Sequence, residues 1–597
     1  MIVPMQRLTL LCVKKDADRV LDVVRELGTV HITSVQPPAG EDLDAYRQRL
    51  DRALKAQEII AHEGAAEGQE KELGAPGGLE PDHVIDQVHE LVRRRQDVEQ
   101  LLDAYRFELE RLGGFGDFDP ATIAAVAEKG IAVKLIQASP ATALSAPQGW
   151  ELRRLGTGAH GEALYALIGM SEADAAPPDL GGAFTEVRPP QRSTAELRVL
   201  AEEAEKEIES ARSEIAGLVA YEAVLTQRVA DLRERVEFLE VREGMGGAEQ
   251  VAYLQGYIPK ETVGRLRERA QEMGFAVVAE TPRAGEDVPT LISYPKILKP
   301  IKTLFDILRI LPSYWETDVS WTFMVFFTIF VGMLIGDAGY GLLLLAVTGF
   351  LAVRSKKASR SALVLLLLLG LSVTAFGIMS GSWLGIKPLP PALESLRIPW
   401  LGDNDNIMSL CFLIGAIHIT IAHIWNIIEV FPKPQFLAQL GWTAVVWAMY
   451  FLANSVVLGR GLPTFMMYLL GAGVLLVVLF MTPFSQIKKN VINHALLPLT
   501  LVNFFVDIIS YVRLFAVGVA TVAVMESFNG MAASVGFGNV LTAVFAVLIL
   551  IFGHTLNLVL AGLAVLVHGV RLNTLEFSSH KGLSWSGNPF RPFARRS

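Results

Sequence analysis

Eight apolar stretches crowd the second half of this 597-residue chain, near 319–335, 337–353, 361–380, 405–428, 437–458, 463–483, 492–526 and 537–572. A helix of about 20 apolar residues spans the hydrocarbon core of a bilayer, and in hydrocarbon only helices and closed barrels satisfy their own backbone. The second half is therefore expected to be a bundle of eight membrane helices. Charge is partitioned to match. Residues 301–597 hold 18 Lys+Arg and 11 Asp+Glu, a net of +7, while residues 1–300 hold 35 and 51, a net of −16. Two domains are expected, a soluble one over 1–300 and a membrane one over 301–597 in contact with the lipid bilayer. The acidity of the soluble half argues against a nucleic acid partner.

Orientation follows from the cations. With the first domain in the cytosol, an even number of spans returns the C-terminus there. Arg354, Lys356, Lys357, Arg360, Lys433, Lys488, Lys489, Lys581, Arg591, Arg595 and Arg596 then lie inside, against Lys387, Arg397 and Arg460 outside. This is the positive-inside pattern. The first two spans are short and meet at Gly336–Asp337, which predicts a tight or re-entrant hairpin. The last two exceed 30 residues and must tilt or project beyond the bilayer. The opening MIVPMQRLTLLCVKKDADRV has no uninterrupted apolar core, so no signal peptide is expected. Cys12 and Cys411 cannot build a disulfide framework or a Cys-rich metal site, and they suit a reducing compartment.

The soluble half carries two heptad-like seams. Val84, Val88, Leu91, Val98, Leu102, Tyr105, Leu109 and Leu112 step by three and four, with one exception at Arg95. Leu197, Ala201, Ala204, Ile208, Ala211, Ile215, Leu218, Leu225, Val229, Leu232, Val236 and Leu239 repeat the pattern, with one exception at Glu222. Such spacing keeps one face toward a partner helix. It predicts long antiparallel coiled-coil arms, the second an unbroken helix over 197–239, joined by a third helix over 43–60. A compact bundle of amphipathic helices is the alternative. Around the arms, strands are expected at 5–13, 29–34, 130–138, 163–169, 251–258 and 275–281, with helices at 15–27 and 260–273, making two small α/β lobes. Segments 64–81 and 172–192 read as surface loops. The fold class is thus an α-helical polytopic membrane protein with an N-terminal cytosolic α+β domain. Walker A, HExxH and GxSxG patterns are absent from the sequence. No catalytic role, cofactor or metal is expected.

Ionisable residues within apolar runs need a reason, because hydrocarbon charges several kcal/mol for them. Arg513 lies deep in SYVRLFAVGVATVAV, and Arg571 lies nearer the inner end of the last span, where it could also serve as an interfacial anchor. Asp507 and Glu526 are the same-span carboxylates that could pair with Arg513, but six and thirteen residues away they are poor helical neighbours. Asn503, Asp507 and Ser510 step toward Arg513 and onward to Thr521. His554, Asn557, His568 and Arg571 share a face of the last span. Two polar stripes ending near arginines suggest a wet ion path. His418 and His423 on the fourth span make a weaker case for that path, and a lone membrane histidine bonded to neighbouring backbone is the alternative for each. Gly332, Gly336, Gly339 and Gly341 serve close helix packing, and Asp337 caps the second short span.

Taken together, DIISYVRLFAVGVA, FVGMLIGDAGYGLLLL, GIMSGSWLG, GAIHITIAH, GHTLNLVLAGLAVLVHGVRLNTLEF and the ending SWSGNPFRPF resemble the membrane stator subunit (subunit a, or subunit I) of rotary V-type/A-type ATPases, in its prokaryotic version. The resemblance covers essentially the whole chain. It implies a plasma-membrane, multi-pass subunit with both termini cytosolic, non-catalytic itself, in a complex that makes or hydrolyses ATP elsewhere. The implied partners are a proteolipid rotor ring, peripheral stalk subunits and the central-stalk rotor-cap subunit. Arg513 matches the essential arginine facing the ring and Arg571 its companion, with His568 and Glu576 at flanking motif positions. Two positions depart from relatives: Thr521 stands where some have histidine, and Ala561 where some have glutamate. A self-contained secondary transporter or membrane sensor is the rival reading, and it predicts an inverted repeat between span groups that the sequence lacks.

Overall fold

The computed structural model describes residues 1–66, 79–117, 119–158, 161–171, 176–188, 191–355, 359–483 and 491–595. The centres of both expected loops, 67–78 and 172–175 with 189–190, lie outside the described residues, as do Lys356, Lys357, Lys488, Lys489 and Arg596. Two compact units emerge. One comprises Met1–Leu10, Leu27–Thr33 and Gln255–Phe593, the other Leu11–Glu26, Ser34–Leu254 and the terminal residues.

The chain opens with β1 (Met5–Val13), α1 (Ala17–Leu27) and β2 (His31–Thr33). Two long helices follow, α2 (Glu41–Ala66) and α3 (Pro81–Gly113), the latter with proline at its first turn, where a missing N–H costs nothing. Next come α4 (Pro120–Ala127), β3 (Ile131–Ala138), β4 (Trp150–Thr157), β5 (Ala163–Met170) and β6 (Phe184–Val187). These four strands make an antiparallel sheet of order β4-β5-β3-β6. The sequence reading found β3 and β5 but missed β4 and β6. WELRRLGT alternates poorly and lies mostly exposed, so it carries no clean period-two signal.

The second seam runs along α5 (Thr194–Gly217) and α6 (Glu222–Glu243). Ser193 and Glu196 cap α5 reciprocally. The expected unbroken helix is interrupted by one 3₁₀ turn, Leu218–Tyr221, directly before the Glu222 exception. Within this unit most of the predicted seam positions are buried, and Tyr105, Leu109 and Ile208 are partly buried. Val98 and Leu102 meet Ala201 and Ala204 where α3 runs antiparallel to α5, and Leu43 meets Val236 and Leu239 where α2 runs against α6. All four helices share one cluster around the 3₁₀ turn, including Ile60, Val88, Ile215, Leu218 and Leu225. Arg95, the break in the first seam, also has a reason. Its guanidinium reaches Glu63 of α2 at 2.7 Å, and Arg212 of α5 reaches the other Glu63 oxygen at 3.1 Å. Burial alone would raise the Glu63 carboxyl, but the two arginines outweigh it and hold it below the usual carboxylate range.

After β7 (Gly246–Ala248) come β8 (Val251–Pro259), α7 (Val263–Met273) and β9 (Ala276–Glu280), completing a second sheet of order β2-β8-β1-β9 with β7 beside β8. Then α8 (Lys299–Leu308) leads into the apolar helices: α9 (Ser320–Ile335), α10 (Ala338–Arg354), α11 (Arg360–Ser380), the short α12 (Pro391–Glu394), α13 (Asn404–Val430), α14 (Phe436–Leu458), α15 (Thr464–Phe480), α16 (Val491–Ala495), α17 (Leu497–Ser510), α18 (Val512–Val535), α19 (Val540–Ala564) and α20 (Ser578–Lys581). Among the described residues, five helical stretches are long and apolar enough to cross a membrane: α11, α13, α14, the 39 residues of α17–α18 and the 42 residues from α19 to α20. The helices α9, α10 and α15 are apolar but shorter, 16, 17 and 17 residues. Each expected apolar stretch lies on one of these helices. The last two run further toward the C-terminus than expected, because their ends stay helical past the last apolar run.

The hairpin of α9 and α10 turns at Gly336, whose φ of 61° suits glycine. Both legs pack against α11. A side chain at Gly332 would strike Ser372, at Gly341 Thr374 and at Gly377 the backbone of Ala338. Asp337 is fully buried and caps α10 through Tyr340 N at 3.0 Å. Its other oxygen accepts from Ser382 Oγ at 2.8 Å and Leu384 N at 2.7 Å, which ties the hairpin tip to the loop after α11.

Candidate functional site

Arg513 owes its place to a break in its helix. Tyr511 is a single turn residue between α17 and α18, and it is completely buried. Gly415 leaves room for its ring, and its hydroxyl meets His418 Nδ1 at 2.9 Å. His418 lies between the rings of Phe326 and Phe577, with centroids at 3.9 and 4.5 Å. This packed stack anchors the start of α18, and Arg513 is its second residue. His418 therefore bonds a side chain rather than neighbouring backbone. His423 does likewise, meeting Gln439 Oε1 at 2.8 Å and His580 Nδ1 at 3.3 Å.

Arg513 does not pair with Asp507 or Glu526. Its Nη2 donates to Glu576 Oε1 at 3.1 Å, and Arg571 Nε lies 3.6 Å from the same oxygen. The Glu576 side chain is 4% exposed, Arg513 24% and Arg571 52%. A carboxylate so buried needs countercharge, and two guanidiniums supply it. One donor and one acceptor remain spare: Arg513 Nη1 and Glu576 Oε2 are buried without a partner among the described residues. The convergence of Arg571 with Glu576 depends on backbone form. Five residues apart on an α-helix they would point about 140° from each other. Instead Val565–Gly569 and Leu572–Phe577 are π-helical, and i→i+5 bonding brings them onto one side. His568 lies in the first of these turns, half-buried, with Nδ1 unpartnered among the described residues.

The remaining expected residues fall into two other groups. On one side, His554 Nδ1 meets the Tyr340 hydroxyl at 2.8 Å and its Nε2 meets Asn529 Oδ1 at 3.2 Å. Asn557 donates to the Tyr340 hydroxyl at 3.2 Å and to the Thr521 carbonyl at 3.0 Å. Thr521 turns its own hydroxyl to Val517 O at 3.0 Å. Glu526 pairs with Lys387 at 2.6 Å beside a cavity of about 580 Å³ that Trp383, Glu394 and Arg397 also line. On the other side, Asp507 accepts from His580 Nε2 at 3.0 Å. Ser510 ends α17, half-buried. The stripe of His554, Asn557, His568 and Arg571 is thus two clusters, one on Tyr340 and one on Glu576. Sequence reasoning missed Tyr340, Lys387, Asn529 and His580. The apolar run ends before His580, so a composition signal stops short of it.

No protein-family profile matches the chain. Whole-chain relatives do. It is 29% identical to V-type ATP synthase subunit I 1 of Treponema pallidum and 29% identical to V-type ATP synthase subunit I of Borreliella burgdorferi, each over the full length of both chains. Over its full length the chain is thus similar to subunit I of V-type ATP synthases. A-type subunit I of Methanocaldococcus jannaschii is 26% identical over 65% of this chain and 63% of its own. Among solved structures, the cytoplasmic N-terminal domain of subunit I, homolog of subunit a, of V-ATPase aligns to 46% of this chain and 99% of its own at 16% identity, with a TM-score of 0.24. Full-length alignment with these relatives disfavours the self-contained transporter or sensor, and the Arg513–Glu576–Arg571 group lies among the apolar helices.

Proposed function

We propose that this chain is a subunit I, the membrane stator of a rotary V/A-type ATPase, and that Arg513 separates two ion half-channels facing a proteolipid rotor ring. A ring carboxylate must be neutral or ion-occupied while it faces lipid. A guanidinium stays charged at any working pH and stabilises the carboxylate only when empty. The observation that carries this reading is the Arg513 side chain, held by Glu576 through one nitrogen and still 24% exposed in an apolar helix, so its guanidinium keeps a free side toward an arriving carboxylate. The large apolar side chains left exposed along the last helix, among them Ile551, Phe552, Val559 and Leu563, suit a curved apolar partner. The cavity beside Glu526 and the group around Asp507 suit the outer and inner half-channels.

In this reading residues 1–300 form the cytosolic domain and 301–597 the membrane domain with eight spans, lying in the plasma membrane with both termini inside. The paired helices act as coiled-coil arms that hold peripheral stalk subunits, and the soluble domain lies near the central-stalk rotor-cap subunit. The subunit is non-catalytic, and ATP chemistry belongs to other subunits. The test is ATP-driven ion pumping into vesicles that hold the assembled mutant complex. Arg513→Ala and Arg513→Lys should both abolish pumping while the complex still assembles, since lysine lacks the flat fork. Normal pumping by Arg513→Ala overturns the proposal.

A further inference from the structure

A row of four polar side chains from four helices remains after the arginine group is accounted for. Gln439 of α14 meets His423 of α13 at 2.8 Å, His423 Nε2 meets His580 Nδ1 of α20 at 3.3 Å, and His580 Nε2 meets Asp507 Oδ2 of α17 at 3.0 Å. His423 is 3% exposed and the His580 side chain 4%. Phe504 walls the row, stacking on His423 and presenting its face to the edge of His580. Asn426 Nδ2 holds the His580 carbonyl at 2.8 Å, and the next residue, Lys581, pairs with Glu429 at 2.7 Å. Glu576 precedes His580 by four residues, so an interior member of the row lies about one helical turn from the carboxylate that holds Arg513.

The row can change its proton content without moving its backbone. With Gln439 Oε1 accepting from His423 Nδ1, three hydrogen bonds place three protons on the four ring nitrogens, so one ring is an imidazolium opposite the Asp507 carboxylate. Rotating the Gln439 amide by half a turn makes its NH₂ the donor and leaves both rings neutral, each donating from Nε2. One proton is the whole difference between the two states.

We propose that Gln439, His423, His580 and Asp507 form a proton wire in the inner half-channel, so that the coupling ion is H⁺. This rests on the half-channel reading above. In one transfer, a hydronium ion from the inner solution gives its proton to His423 Nδ1 as the Gln439 amide turns aside, and the His423 Nε2–H passes to His580 Nδ1. The Nε2–H bond of His580 then breaks as an O–H bond forms on Asp507. Asp507 gives that proton up to the empty carboxylate of the ring, and the two imidazoles, left as Nδ1–H tautomers, return to Nε2–H before the next transfer. A sodium ion finds two facing ring nitrogens in mid-row where a hard cation needs several oxygens.

The experiment uses the whole complex in vesicles. Wild-type complex should acidify vesicles in sodium-free buffer. His423→Ala and His580→Ala should lower acidification by about tenfold or more, the range of a lost proton-transfer group. Imidazole added on the ATP side should restore part of it, which a merely structural histidine would not allow. If His580→Ala fails to assemble, His423→Gln and the wild-type sodium test carry the same question. Assembled histidine variants that pump within about twofold of wild type overturn the wire. So does wild-type ATPase activity that requires sodium and moves sodium into the vesicles. Either result with Arg513→Ala still inactive strikes the wire alone, whereas pumping by Arg513→Ala strikes the half-channel reading beneath it.

Discussion

Glu576 is the point on which both membrane arginines converge, and it makes a sharper probe than either. Replacing it by glutamine keeps the shape and removes the charge, leaving Arg513 and Arg571 facing each other without a countercharge. Leaving a desolvated charge unpaired is strongly destabilising. We expect Glu576→Gln to lower pumping by about tenfold or more, a loss of about 1.4 kcal/mol per decade. Arg571→Lys should be milder, because Arg571 is half-exposed and its closest approach is 3.6 Å. Comparing the two variants in ATP-driven vesicle uptake checks this, and equal loss in both would contradict it. Arg513 stood out in the sequence because a guanidinium in an apolar run is expensive. Its partner did not, since Glu576 is 63 residues away and no spacing rule reaches that far.

At the scale of elements, two contacts lend themselves to measurement. Glu63 joins α2 to α3 and α5 through Arg95 and Arg212. Its folded pKa lies below the unfolded value, so its stabilisation is complete above the unfolded value and is lost as pH falls through the folded one. Glu63→Gln should therefore weaken this junction at pH 7 by on the order of 1–2 kcal/mol, discounted because both arginines are partly exposed. The difference should shrink as pH falls below the usual carboxylate range, through the lowered folded value. Hydrogen exchange along α2 and α3 in the full chain reads it. The second contact is Gly377, where any side chain meets the Ala338 backbone. Gly377→Val should force α10 from α11 and cost at least about 1–3 kcal/mol, the usual range for overpacking. A thiol-reactive dye would report it as earlier thermal exposure of Cys411, which is fully buried in the native state. The seams of α3, α5 and α6 were legible because burial there follows a helical period. The 3₁₀ turn was marked only by its neighbouring exception at Glu222. The π turns left no mark at all, because they arise from what the last helix must reach.

For the molecule as a whole, the segment after α20 links the end of the last long helix to the first strands. Gly587 N donates to Leu311 O, Thr290 N to Asn588 O, Phe590 N to Thr290 O and Phe593 N to Val30 O. Arg591 N donates to His31 Nδ1 at 3.0 Å, and Phe593 is 3% exposed. Removing residues 586–597 should cost on the order of 3–6 kcal/mol, from about 1 kcal/mol for each backbone bond plus the buried ring. Faster hydrogen exchange at His31–Thr33 and Asp287–Leu291 is the expected readout, and unchanged exchange there would contradict it.

By itself the sequence determined the apolar helices, the positions of the seams, the absence of a P-loop pattern and the placing of Arg513 deep in an apolar run. Each of these is a local property, written as period, composition or the cost of one charge in hydrocarbon. Tertiary structure alone decided that Arg513 answers to Glu576, that Asp507 answers to His580, and that His554 and Asn557 gather on Tyr340. These pairings join helices far apart in the chain, and hydrogen bonds of that kind depend on which faces pack together. Helical period says which residues share a face, but not which face of another helix arrives opposite it.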